Sequence, residues 1–162
     1  MPTTKKRQTP AAKSATSKTP AAKKTRKKRK KKTRYHTGTY SSPKCSTPIN
    51  YRSGWECTVC KHLDLDPAVV RYTYETIEIH YTSNKTTRRI RKYFADFRVW
   101  YSDGTVKMIE VKRENKLTNP RVQRKAEAAR DWCGKQNPKI TYEFWTDKIV
   151  LPLQKIHKAK GI

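Results

Sequence analysis

Apolar side chains are almost absent from the first 34 residues, where only Met1 and alanines qualify, and from Tyr35 onward they fall into short periodic stretches. Trp55, Val59 and Leu63 recur at i, i+4 and i+8, the stripe of an amphipathic helix. Ser53 and Glu56 stand before it at capping-box spacing, and Asp64, Asp66 and Pro67 end it. Arg71 to Tyr81 alternates and is rich in Tyr, Thr and Ile, which predicts a strand. Thr82 to Arg91 reads as a basic loop. Lys92–Tyr101 and Thr105–Arg113 predict two more strands around Ser102-Asp103-Gly104. Asn119 as N-cap and Pro120 at the first helical position predict a second helix, with Val122, Ala126, Ala129 and Cys133 on its inner face and Gly134 at its stop. Ile140 to Thr146 alternates again as a strand. Residues 148–162 are apolar and then basic, and their pattern assigns no element. Residues 35–52 lack periodicity and predict an ordered lead-in without regular structure. The predicted order is α-β-β-β-α-β.

Charge divides the chain more sharply. Of 162 residues, 39 are Lys or Arg and 13 are Asp or Glu, a formal net charge of +26; 15 of the cations and none of the acids lie in residues 1–34. A segment without aromatic or branched aliphatic residues buries too little surface to offset chain entropy, so residues 1–34 are expected to be a disordered cationic arm. The remainder suffices for one modest core, with residues 35–52 leading into a domain over 53–162. Within the arm Thr-Pro-Ala-Ala-Lys occurs at 9–13 and again at 19–23. The densest block holds Lys27, Lys28, Arg29, Lys30, Lys31 and Lys32. These residues, with Arg88, Arg89 and Arg91 of the basic loop, are the expected nucleic-acid contacts, because neutralising phosphates releases counterions. No apolar run approaches the roughly 20 residues that span a bilayer, and no secretory apolar region follows the basic start. Four cysteines are too few for a disulfide scaffold of this size and suggest reduced, intracellular thiols.

The two central strands carry the chemistry. A two-residue Asp103-Gly104 loop would set Asp96 across from Val111. A three-residue loop with Gly104 in the left-handed conformation sets Asp96 across from Glu110 instead, and Lys112, two residues on, shares that face. Two carboxylates and an ammonium then converge in a half-buried sheet. Lys112 neutralises one carboxylate; a divalent cation neutralises both and suits carboxylate oxygens. A structural salt bridge with a solvated face explains the same residues without chemistry.

Tyr93-Phe94-Ala95-Asp96-Phe97 followed by Ile109-Glu110-Val111-Lys112 resembles the PD-(D/E)xK nuclease signature, with Ala95 where proline is usual. The α-β-β-β-α-β order is similar to the core of that superfamily. Tyr51-Arg52-Ser53-Gly54-Trp55-Glu56, preceded by Gly38-Thr39-Tyr40 and the stretch 44–50, resembles the entry motif of the TnsA-like branch and of T-even-type phage head-completion nucleases. The resemblance covers roughly residues 38–146. It implies a restriction-endonuclease-like α/β fold, a mixed sheet flanked by helices. It implies hydrolysis of DNA phosphodiesters with Mg²⁺ or Mn²⁺ held by Glu56, Asp96 and Glu110, and Lys112 serving the attacking water or the transition state. It also implies a virion setting, in the host cytoplasm and then the phage head, acting on packaged DNA with portal or neck proteins as partners.

Spacing alone makes Glu56 a helix cap; the resemblance makes it a third metal-site carboxylate. Strand alternation puts Glu75 and Glu78 on different faces, and both stay outside the expected site. Gln123 and Lys125 on the second helix are candidate phosphate contacts or a solvated face. Cys45, Cys57, Cys60 and His62 are four potential zinc ligands at poor spacing, and the cysteines read better as small core residues. A Holliday-junction or repair nuclease with the same chemistry, and a DNA-binding structural protein without it, are the alternative functions.

Overall fold

A computed structural model describes residues 36–84 and 86–161. The cationic block Lys27–Lys32, like the whole of the expected arm, lies outside these residues. The elements are β1 (Gly38–Tyr40), β2 (Ile49–Tyr51), α1 (Gly54–Leu65), β3 (Val69–Tyr74), β4 (Glu78–Asn84), β5 (Arg89–Phe94), β6 (Phe97–Tyr101), β7 (Val106–Val111), α2 (Pro120–Gly134), β8 (Ile140–Trp145) and α3 (Asp147–Ala159), with a 3-10 turn over Glu114–Lys116. A four-stranded sheet in the order β3-β6-β7-β8 forms the centre. β3, β6 and β7 are antiparallel neighbours, and β8 runs parallel to β7. That parallel pair requires a crossover, which α2 supplies. Without β1, β2, α3 and the β4–β5 hairpin, the order is α1-β3-β6-β7-α2-β8, the predicted one. The fold is restriction-endonuclease-like: a mixed sheet with helices packed on it.

The sheet separates two apolar clusters. Val99, Ile109, Phe97 and Tyr72 point to the α1 and α3 side, with Val59, Cys60, Leu63 and Val150. Val106 and Met108 point to the α2 side, with Ala129, Cys133 and the hairpin residues Ile79, Tyr81 and Tyr93. Both predicted helix starts form as written. The Ser53 hydroxyl accepts from the Glu56 amide at 3.3 Å, and the Asn119 side chain accepts from Arg121 N at 2.9 Å.

Several expectations are corrected. The segment 71–81 is two strands, not one. Glu75 at φ 49° breaks it, and β4 leaves the central sheet to pair with β5. The pattern carries the break: the apolar phase runs Tyr72, Tyr74 and then Ile77, Ile79, Tyr81, a slip from even to odd positions. The supposed basic loop 82–91 is mostly strand, and Arg89 and Arg91 lie in β5 while Arg88 stays in the turn. The strand expected over 92–101 is interrupted at Ala95–Asp96, where the chain passes from hairpin to central sheet. Residues 35–52 contain a small antiparallel pair, β1 with β2, whose Ile49 and Tyr51 are buried. The unassigned C-terminal stretch is α3, capped by Thr146 and anchored by Val150 and His157. Among the described residues no helix is long and apolar enough to cross a membrane.

Candidate active site

The β6–β7 connection fixes the site geometry. Gly104 N donates to Tyr101 O at 3.1 Å and Tyr101 N to Thr105 O at 3.0 Å, so the loop has three residues, and Gly104 takes φ 84°. The Asp103 carboxylate accepts from Thr105 N at 2.9 Å and from its hydroxyl at 2.7 Å, which locks the turn. Register then follows: Trp100 opposes Val106, Arg98 opposes Met108, and Phe97 opposes Ile109. One step further sets Asp96 across from Glu110, on the α2 side of the sheet. This is the register that the three-residue loop predicts.

Asp96 occupies the gap between β5 and β6. Its carbonyl accepts from Glu75 N at 2.9 Å, and one carboxylate oxygen accepts from Val111 N at 2.8 Å. Glu110 is only 4% exposed, and its Oε2 is buried without a hydrogen-bond partner. Lys112 Nζ lies 3.3 Å from Glu110 Oε1. Burial pushes the Asp96 carboxyl well above the usual carboxylate range, and the neighbouring Glu110 charge pushes it the same way. Burial likewise raises Glu110, opposed by Lys112 and Lys125. Burial alone would lower the Lys112 ammonium, yet Glu110 and Asp96 outweigh it and the group is raised. Two acids therefore share one cation in a partly desolvated site, an arrangement that destabilises a fold and marks sites of function.

Glu56 serves as the helix cap that its spacing predicts. Its carboxylate accepts from Ser53 Oγ at 2.7 Å, Arg52 N at 2.8 Å and the Tyr74 hydroxyl at 2.6 Å. It completes the capping box and ties α1 to β3, and its charge still bears on Asp96 and Lys112. Among the described residues, no three Asp, Glu, His or Cys side chains gather into a metal-binding group, and the four cysteines are free thiols that form no such group either. Glu75, which the alternation leaves aside, is a further carboxylate near the site. Burial raises its carboxyl, Arg52 at 2.7 Å opposes that, and the charges of Glu56 and Glu110 reinforce it. The phase slip after Tyr74 was the signal that frees it from strand alternation.

The α2 residues fall on both sides of the site's edge. Lys125 sits 4.6 Å above the Tyr93 ring, beside Glu110, and Gln123 is exposed and turned back to Leu117 O. Arg88, Arg89 and Arg91 are exposed on the hairpin. Two recesses meet at Lys112. One, of about 160 Å³, is lined by Glu110, Arg121, Lys125 and Tyr142. The other, of about 500 Å³, is lined by Trp55, Glu56, Arg113 and Lys116.

A family model described as TnsA-like endonuclease N terminal matches residues 66–147, just over half of the chain. The match takes in Asp96, Glu110 and Lys112 and begins after α1, so Glu56 lies outside it. No curated protein matches the chain.

Proposed function

The chain belongs to the TnsA-like endonuclease N-terminal family, and from that membership we propose that it is a divalent-cation-dependent DNA endonuclease whose site is Asp96, Glu110 and Lys112. The observation that carries the proposal is the facing pair: Glu110 opposite Asp96, with Glu110 Oε2 buried and unpartnered. The donor set fits a hard cation, since both groups offer carboxylate oxygens and one such oxygen has no other partner. Asp96 and Glu110 would hold Mg²⁺ or Mn²⁺, with Glu56 contributing charge from the rim of the site. The cation supplies Lewis acidity toward the phosphate and an acidified water.

The chain's own residues do the rest. Lys112 presents an ammonium where charge develops on the phosphate, a role worth about 10²–10³ in rate for a single preorganised donor. Val111 N holds Asp96 in one orientation, and the Asp103–Gly104 turn holds the register that brings Glu110 to it. The entry motif 51–56 and its likeness to head-completion nucleases support a role on packaged DNA at the portal or neck of a phage head, within the virion and the host cytoplasm. The expected arm of residues 1–34, with Arg88, Arg89 and Arg91, serves as the general DNA contact in this reading.

Incubation with supercoiled, linear and branched DNA tests it, in Mg²⁺, Mn²⁺ or EDTA, with the wild type and Asp96→Ala. Nicking by the wild type that EDTA and Asp96→Ala both abolish is the expected result. Tight binding without cleavage of any DNA form in either metal would overturn the enzyme and leave a DNA-binding protein of nuclease fold.

A further inference from the structure

The cations around the site are held in two ways. Elsewhere on the described surface several lysines pair with acids, Lys92 with Glu78, Lys107 with Glu143, Lys135 with Asp131 and Lys148 with Glu114, and Arg71 rests over Trp100 at 3.7 Å. Beside the site Lys112 pairs with Glu110 and Arg52 with Glu75, while three further cations rest on aromatic groups. Lys125 lies over Tyr93 at 4.6 Å and near Tyr81 at 5.9 Å. Arg121 Nε donates to the Tyr81 hydroxyl at 3.2 Å. On the other side Arg113 lies over Trp55 at 5.5 Å. Among the described residues none of the three forms an ion pair. A cation seated on a ring is fixed in place while its charge stays uncompensated. A cation paired with a carboxylate is fixed too, with its charge partly offset.

Arg121 and Lys125 line the smaller recess and Arg113 and Lys116 the larger, and Lys112 lines both. We propose that the two recesses form one phosphodiester track, in which Arg121 and Lys125 hold a DNA phosphate on one side of Lys112 and Arg113 and Lys116 hold one on the other. The reading of the chain as a DNA endonuclease supplies the identity of this ligand. The track assigns a purpose to the β4–β5 hairpin, which lies outside the central sheet: its Tyr81 and Tyr93, in edge contact at 5.9 Å, are the seats of Arg121 and Lys125. It also separates the site's cations by task. Lys112 acts on the reacting phosphate, and the seated cations position the strand.

The experiment uses the full chain in EDTA with a fluorescein-labelled duplex, following anisotropy across a salt series. Three double variants each remove two positive charges: Arg121→Gln with Lys125→Gln, Arg113→Gln with Lys116→Gln, and the acid-paired control Lys107→Gln with Lys135→Gln. Each track pair should weaken binding about tenfold and flatten the log–log salt slope by up to about 2, because about 0.9 is lost per released phosphate. The control should move both by much less. Charge-preserving Arg121→Lys with Lys125→Arg should restore binding if the loss is electrostatic, and melting curves must show each variant folded. In Mg²⁺ the track variants should also raise KM for nicking. Equal losses in the control and track pairs would overturn the proposal, as would a track pair that binds like the wild type. A wild type that does not nick overturns the enzyme reading alone, and the EDTA comparison still decides the track.

Discussion

Glu110→Gln should make the metal-free protein more stable while abolishing cleavage. In the wild type two carboxylates share Lys112, which leaves a net charge of about −1 in a site where Glu110 is 4% exposed. The substitution keeps the size of the side chain and leaves Asp96 and Lys112, a balanced pair. Relief of the unpartnered charged oxygen is worth about 1–3 kcal/mol. The lost contact to Lys112, whose side chain is 33% exposed, offsets about 0–1 kcal/mol after solvent screening. The net gain is about 1–2 kcal/mol, or roughly 3–6 °C in Tm for a domain of this size. Scanning calorimetry in EDTA at pH 7.5 measures it. Adding Mg²⁺ should reverse the order, because only the wild type gains binding energy, about 2.7 kcal/mol at a hundred times Kd. Lowering the pH should erase the variant's advantage. Burial raises the Glu110 carboxyl, so the folded state takes up a proton before the unfolded chain does. The penalty on the wild type is therefore full above that raised value and gone below the ordinary range of a carboxylate near 4.3. A variant that melts below the wild type in EDTA at pH 7.5 would refute the charge count.

Further outcomes follow from other parts of the molecule. Lys112→Ala should lower kcat about 10²–10³-fold and leave DNA affinity in EDTA close to wild type, read by single-turnover nicking and anisotropy. Gly104→Ala should cost about 1–2 kcal/mol in denaturant unfolding, because φ 84° strains any residue with a Cβ although the space around it is open. Deleting residues 1–34, which hold 15 Lys and Arg, should flatten the salt dependence of DNA binding and leave the melting temperature nearly unchanged. His157 is buried, its Nδ1 has no partner, and burial with His62, Lys61 and Lys160 lowers its pKa. Stability should be full above the ordinary histidine pKa near 6.5 and fall as pH drops below it, and His157→Leu should flatten that fall in melts between pH 7.5 and 5.

How far the sequence reveals this arrangement depends on how many local constraints agree. At the β6–β7 turn three do: alternation on both sides, Asp103 to cap the loop, and Gly104 for positive φ. Together they specify register, and register alone brings Asp96 to Glu110. The helix starts at Ser53 and Asn119 are legible for the same reason, since a cap residue and an apolar stripe point to one boundary. Where one signal stands alone it misleads. Alternation across 71–81 conceals the slip at Tyr74 and with it the place of Glu75. Helix α3 hides behind Pro152 and a short apolar face, because its burial rests on Val150 and His157 seven residues apart. Strands β1 and β2 have three residues each, too few for a period. At Glu56 spacing gives the cap that the structure contains, and the Glu56 charge also bears on Asp96.

The two sides of the sheet have separable tasks, and this follows from strand alternation. On β6 and β7 the face toward α1 and α3 carries Phe97, Val99, Ile109 and Val111, all apolar and buried, with the half-buried Tyr101 and Lys107 at the end of the sheet away from the site. Asp96, Glu110 and Lys112 point the other way, to the side where α2 and the β4–β5 hairpin bring Arg121, Lys125, Tyr81 and Tyr93. A buried like-charge pair is tolerated there because the opposite face supplies a continuous core under the same strands. Large-to-small changes such as Leu63→Ala or Val99→Ala therefore act on stability, at about 2–5 kcal/mol for the leucine, without touching a charged group. Tyr81 and Tyr93 belong to the buried cluster on the α2 side, so substitutions there act on stability as well as on the seats of two cations. The hairpin that interrupts the predicted strand is thus the part of the fold that ties the core to the site.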